Sequence, residues 1–263
     1  MGIVNVTPDS FSDGGRYLHP EAAVAHALRL VGEGADVLDV GGESTRPRAE
    51  PVAEDDEIAR VVPVIEALRR ESDVRISVDT MKPAVARAAM AAGATMWNDV
   101  AALRARGAVS VAADLGCEVV LMHMQGEPRT MQAAPHYDDV VAEVAAFLAA
   151  RAEAAVAAGV ARERIWLDPG WGFGKTDQHN LALLRDLGRI AALGCPVLFG
   201  ASRKSSIARI ARDRSKAEKR LVGGIALALA AVRAGARAVR VHDVAETVQA
   251  LRVAAALDEV GGR

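Results

Sequence analysis

Asp168 ends a short apolar run, Ile165-Trp166-Leu167, and is followed by Pro169, Gly170, Gly172, Gly174 and Lys175. An apolar run bounded by Pro and Gly reads as a buried strand that stops at Asp168, turns tightly, and feeds a helix over Leu181–Leu193. A carboxylate there either accepts paired N–H donors from a ligand or serves as a turn residue capping the next helix. Gly174-Lys175-Thr176 has the ending of a nucleotide phosphate loop, but Pro169 stands where the first glycine belongs, so that match fails. The turn is better suited to bringing backbone and Phe173 against a flat ligand beside Asp168.

Asp79, Asn98 and Lys204 share the position of Asp168, each following an apolar run. Carboxylates at such deep positions need partners. An aminopyrimidinone edge would give Asp168 two parallel hydrogen bonds, with Asn98 and Lys204 reading the remaining groups of the ring. The bland alternative is a Lys204–Asp ion pair with no ligand. Arg203, Arg240 and His242 form a second group, suited to an anion such as pyrophosphate, and Asn5 offers a hard oxygen to Mg²⁺ beside it. The two-residue spacing of Arg240 and His242 puts both side chains on one face of a strand.

These groups need elements to carry them. A helical stretch ending in Gly and a small residue, then an apolar run, recurs at Gly34-Ala35, Gly93-Ala94, Gly116-Cys117, Gly194-Cys195 and Gly235-Ala236. Each glycine is expected in the left-handed region just past a helix. The runs that follow are Asp36–Val40, Thr95–Trp97, Glu118–Met122, Pro196–Phe199 and Ala238–Val241; irregular copies are Gly2–Val6, Arg75–Val78 and Ile165–Leu167. Amphipathic helices over Glu21–Gly32, Ile58–Arg70, Val140–Val156 and Leu221–Arg233 alternate with them. About eight strands alternating with helices in 263 residues predict an α/β protein of the (β/α)8 TIM-barrel class, as a single domain spanning residues 1–263. A doubly wound sheet is the alternative. In a barrel the polar groups that follow every strand converge on one face, and that face is the expected site.

Composition limits the partners. Hydrophobic residues at 51% supply a full core, and aromatics at 3% leave it to Ala, Val, Leu and Ile, as suits helices around a parallel sheet. A net charge of −2 argues against nucleic acid as a partner, so an anionic ligand needs a local cluster. Cys117 and Cys195 have neither zinc nor disulfide spacing. No apolar run has transmembrane length and no signal peptide opens the chain, so a cytoplasmic protein without a membrane partner is expected.

Asn5-Val6-Thr7-Pro8-Asp9-Ser10-Phe11-Ser12-Asp13-Gly14-Gly15 and Gly42-Glu43-Ser44-Thr45-Arg46-Pro47 resemble the two signatures of the dihydropteroate synthases. Ser77-Val78-Asp79-Thr80, Asn98-Asp99-Val100, Met122-His123-Met124-Gln125-Gly126, Asp168-Pro169-Gly170, Ser202-Arg203-Lys204-Ser205 and Arg240-Val241-His242-Asp243 continue in that family's order over essentially the whole chain. The resemblance implies condensation of 6-hydroxymethyl-7,8-dihydropterin diphosphate with 4-aminobenzoate, with Mg²⁺ as cofactor and a homodimer as assembly. It implies that Asp79, Asn98, Asp168 and Lys204 hold the pterin, and that Asn5, Arg240 and His242 hold diphosphate and Mg²⁺. Thr45, Arg46, Pro47, Phe173, Ser202 and Lys204 would surround the aminobenzoate, and Arg203 and Val241 belong to the same binding motifs. Asp79, Asp168, Lys204, Arg240 and His242 are the expected catalytic set.

Three departures stand out: Arg48 where the family usually has Gly, Gly224 where it has a small hydroxyl or Ala, and a first strand that opens almost at Met1. Segments 7–15 and 44–48 are rich in Ser, Gly, Pro and Asp and are expected to be mobile until an anion and Mg²⁺ draw them in. The rivals are a pterin-dependent methyltransferase, which leaves both loops without a purpose, and a non-catalytic pterin- or phosphate-binding paralogue.

Overall fold

The computed structural model describes residues 1–7, 20–45 and 49–261, the side chains of residues 260 and 261 excepted. Strands β1 (Gly2–Asn5), β2 (Val37–Gly41), β3 (Arg75–Asp79), β4 (Met96–Asp99), β5 (Glu118–Met122) and β6 (Ile165–Asp168) pair in parallel in chain order. Strands β7 (Leu198–Phe199) and β8 (Ala238–Val239) pair with each other, also in parallel. Parallel bridges Leu167↔Val197 and Gly2↔Val241 join the pair to β6 and β1. Ile3 donates to the Val241 carbonyl at 3.0 Å and Val241 to that of Met1 at 2.9 Å, which closes the ring. The expected (β/α)8 barrel is therefore present, and the open doubly wound sheet is not.

Around it lie α1 (Pro20–Gly32), α2 (Glu54–Glu71), α3 (Pro83–Ala91), α4 (Ala108–Leu115), α5 (Val140–Ala157), α6 (Asp177–Arg185), α7 (Gly188–Ala191), α8 (Ser205–Ile210), α9 (Leu221–Arg233) and α10 (Val244–Gly261). Gly34, Gly93, Gly116, Gly194 and Gly235 all have positive φ, as the repeat requires for a chain leaving a helix toward the next strand. Two helix boundaries differ from expectation. The acidic run Glu54-Asp55-Asp56-Glu57 begins α2 rather than preceding it, because carboxylates favour the positive end of a helix. The helix expected over Leu181–Leu193 starts instead at Asp177, where Thr176 and His179 form a reciprocal capping box, and breaks after Arg185 before α7.

Period-two alternation sorts each strand. Val4, Leu38, Val40, Ile76, Val78, Trp97, Val119, Leu121, Ile165, Leu167, Val197 and Phe199 join one apolar cluster with the inner faces of the helices. Met96, Val120 and Leu198, with Met1, Trp166 and Ala238 packed against them, make a separate cluster in the barrel interior. Two residues further along the same strands stand Asn98, Met122, Gly200, Asp168 and Arg240. The strand pleat thus lifts the polar groups one layer above an apolar floor.

Candidate active site

Asp39 is fully buried within β2, and two groups meet at its Oδ2: Arg240 Nε at 2.5 Å and Asn98 Nδ2 at 3.0 Å. Arg240 Nη2 also donates to Asp79 Oδ2 at 2.7 Å. One guanidinium therefore spans two carboxylates, and its pKa is raised by Asp39 and Asp79 against the cost of burial. The pairing is incomplete, because Asp39 Oδ1 and Asp79 Oδ1 are buried with no hydrogen-bond partner. Burial pushes the Asp79 carboxyl up to about 7; Arg240 opposes this, while Asp39, Glu57 and Asp99 reinforce it. Asp39 received no role from the sequence; a lone carboxylate inside an otherwise apolar strand was the available signal.

Asp168 Oδ1 accepts the Gly170 N–H at 2.6 Å, so its turn role is real but occupies one oxygen only. Burial raises its pKa, against Lys204, the Gly170 N–H, Lys175 and Arg240. Lys204 makes no salt bridge with Asp168. Its Nζ donates to the Trp171 carbonyl and sits 4.6 Å from the centre of the Phe173 ring. Burial lowers the Lys204 pKa to about 8 although Asp168 lies nearby. Phe173 also packs on an apolar cluster of Val100, Met122, Met124 and Met131, with Met81 beside it. Sequence reasoning missed this methionine wall, whose signal was Met122 and Met124 flanking His123 at a strand end.

The second expected group divides. Arg240 turns to the carboxylates, Arg203 Nε pairs with Asp243 Oδ2 at 3.0 Å, and His242 Nδ1 lies 3.0 Å from Ser202 Oγ. Arg203 adopts a left-handed φ of 59°, a strained conformation for a non-glycine at the mouth of a site. Beside Arg203 and His242 is a cavity of about 240 Å³, also lined by His26, Arg29, Glu33 and Glu246. Val241 packs its side chain into the apolar layer outside the barrel and uses its backbone in closure, while also lining a small cavity with Ser202 and Arg203. Asn5 is half-buried at the end of β1 and its amide makes no hydrogen bond among the described residues. Among those residues no group of three or more His, Cys, Asp or Glu forms a metal cage. The Asn5 side chain carries one hard oxygen of the kind Mg²⁺ takes.

Thr45 stands at the edge of the β2–α2 connection. Its neighbour Glu43 accepts from Lys82 Nζ at 2.5 Å and from the Val52 N–H at 3.1 Å, and Lys82 also reaches the buried Glu57 at 2.5 Å. Arg46, Pro47 and Arg48, and residues 8–15 of the first signature, lie outside the described residues. Gly224 lies in α9, where a Cβ would meet only Ile207, at 4.0 Å, so either small residue is accommodated.

Two of the glycines after β6 are required by packing against the chain, while Gly172 faces the Lys204 side chain. Gly170 and Gly174 have positive φ, and a Cβ on either would collide with the backbone of the β5 connection, at the His123 and Gln125 carbonyls. Trp171 Nε1 donates to Ser206 Oγ at 2.8 Å and the Gly172 N–H to Asn180 Oδ1 at 2.8 Å.

A closed parallel barrel with convergent polar groups above its floor is the architecture of the pterin-binding enzymes, and the model for "Pterin binding enzyme" matches residues 1–242. The chain is 48% identical to the dihydropteroate synthase of Escherichia coli K12 over 96% of this chain and 89% of that one. It is 55% identical to a solved Xanthomonas albilineans dihydropteroate synthase with 4-aminobenzoic acid (TM-score 0.92, 98% and 92% of the two chains). A Yersinia pestis dihydropteroate synthase in a sulfonamide complex is 45% identical (TM-score 0.93, 98% and 93%). The chain therefore belongs to the pterin-binding enzymes and, within them, to the dihydropteroate synthases, transferases of folate biosynthesis.

Proposed function

We propose that this chain joins 6-hydroxymethyl-7,8-dihydropterin diphosphate to 4-aminobenzoate, releasing pyrophosphate, in the barrel mouth described above. The observation that carries the reading is the pair of buried acceptors without partners, Asp39 Oδ1 and Asp79 Oδ1, next to a third buried carboxylate, Asp168. Unpaired buried acceptors are costly, and a ring edge rich in N–H donors relieves that cost. A relative from Xanthomonas albilineans has been solved with 7,8-dihydropteroate.

In this reading Asp79, Asn98, Asp168 and Lys204 hold the pterin ring. The same carboxylates stabilise the methylene cation left when diphosphate departs, and the arylamine then attacks that carbon and gives up a proton. Arg240 and Arg203 offer positive charge to the leaving group, and His242 offers a hydrogen bond. Mg²⁺, with Asn5 as its protein ligand, would neutralise charge on the diphosphate when bound. Phe173, Ser202, Lys204 and Thr45, with Arg46 and Pro47, enclose the aminobenzoate. No protein nucleophile is called for.

The homodimer and cytoplasmic placement expected from the sequence belong to the same reading. Val222 on α9 and Val253 and Leu257 on α10 are exposed apolar side chains of two helices packed together, and a second copy of the chain would cover them. No helix among the described residues is long and apolar enough to cross a membrane. The deciding experiment is turnover: formation of dihydropteroate from the pterin diphosphate and 4-aminobenzoate with Mg²⁺. Pterin binding without turnover would favour the non-catalytic paralogue, and methyl transfer to a corrinoid acceptor the methyltransferase.

A further inference from the structure

Lys175 is the largest charged side chain sealed among the described residues, 1% exposed, and nothing in the chemistry above uses it. Its Nζ donates to the carbonyls of Gly170 at 3.0 Å, Phe173 at 3.0 Å and His123 at 3.2 Å, and lies 2.9 Å from His123 Nδ1. Burial and the Lys175 charge lower the His123 pKa to about 3, so the imidazole is neutral, and Nδ1 accepts from Lys175 in the tautomer protonated at Nε2. Three carbonyl oxygens and His123 Nδ1 surround a nitrogen that has three N–H donors as an ammonium and two as a neutral amine, so the acceptor-rich cage is better served by the charged form. Burial holds the Lys175 pKa well below the ordinary lysine value, with Asp168 opposing and Lys204 adding to the fall; the three carbonyl acceptors are the geometric feature that suits a charged group.

The positions it grips adjoin the site residues. Gly170 supplies the N–H that binds Asp168 Oδ1, and Phe173 supplies the ring beside Lys204 Nζ. The remaining carbonyls of the turn are also held: Trp171 by Lys204, Gly172 by Gln132 and Gly174 by the Tyr137 hydroxyl. Gln132 and Tyr137 belong to the β5 connection and hold two of these carbonyls from its far part, while Lys175 gathers the Gly170 and Phe173 carbonyls onto His123 at its start.

We propose that Lys175 is a positioning residue, a buried ammonium that pins the β6 turn to the β5 connection so that Asp168 and Phe173 are held in register for the ligands. It rests on the pterin reading above for what those ligands are. Asp168 is faced by Lys204 from the β7–α8 connection, Arg240 from β8, and Lys175 and the Gly170 N–H from its own turn. Removing Lys175 takes away one of three cations, so the Asp168 pKa rises and the acid limb of activity moves to higher pH.

The test compares Lys175→Met and Lys175→Arg with the parent chain. Parent turnover establishes the pterin reading; a parent without turnover sinks that reading, and amide exchange in residues 170–174 then judges Lys175 independently. The Met variant is expected to melt cooperatively and to exchange those amides about tenfold faster. It should also lose kcat/KM for the pterin diphosphate on the order of a hundredfold, with its acid limb displaced upward. The Arg variant, which keeps the charge, should hold the limb where the parent has it. Parent-like exchange and an unmoved limb in a folded Met variant would overturn the proposal. If that variant does not fold, the Lys175 Nζ resonance of the parent decides: an ammonium persisting at pH 8 supports the assignment, and a neutral amine rejects it.

Discussion

At the residue scale, the site is governed by carboxylates that burial makes expensive. Asp168 has one oxygen engaged by Gly170, which leaves its second for a ligand donor. Asp168→Asn turns an acceptor into a donor facing donors, and pterin affinity should fall by roughly 2–4 kcal/mol with the melting temperature little changed; isothermal titration with the pterin is the measurement. Asp79 sets a pH dependence. Its carboxyl is raised from the ordinary 3.8 to about 7, so between those values the folded chain keeps a proton that the unfolded chain has lost. This group therefore lowers stability as pH rises across the window. Ligand N–H donors need the ionised form, so pterin affinity should weaken as pH falls through about 7. In Asp79→Asn that step should vanish from the titration curve; its persistence would assign the step to another group.

At the element scale, connections matter more than strands. Glu43 ties the start of the β2–α2 connection to its end through Val52 and to the β3 connection through Lys82. Thr45 lies between these ties. Glu43→Gln removes a charge-assisted bond worth about 1.5–3 kcal/mol, so a sulfonamide titrated in the presence of pyrophosphate and Mg²⁺ should bind about tenfold more weakly, with pterin affinity unchanged. An equal loss for both ligands would make Glu43 a general structural residue. Without pyrophosphate and Mg²⁺, sulfonamide binding should be weak in parent and variant alike, as expected when the anion completes the pocket.

At the scale of the whole molecule, ring closure brings Arg240, late in the chain, against Asp39 and Asp79 from its first third. The outer surface carries the exposed face of α9 and α10. The parent chain should sediment as a dimer, and Val253→Asp with Leu257→Asp as a monomer with the barrel still folded; a parent that sediments as a monomer would remove the dimer from the proposal. A double variant that still sediments as a dimer would move the interface elsewhere.

Strand–helix alternation, and hence the barrel, was legible because local rules carry it: a left-handed glycine after each helix, and apolar runs buried on both faces. The positions after each strand were legible for the same reason, since a parallel barrel gathers strand ends on one side whatever the details. Partner choice was not legible, because it depends on contacts between residues far apart in sequence. Arg203, Arg240 and His242 read as one anion cluster by spacing; closure gives them partners that spacing does not show, two carboxylates for Arg240, Asp243 for Arg203 and Ser202 for His242. Val241 shares a motif with two site residues, but strand alternation turns its side chain outward into the core. Lys175 read as the remnant of a failed phosphate loop. Only the packing of one connection on another made it a buried cation with three carbonyls to hold.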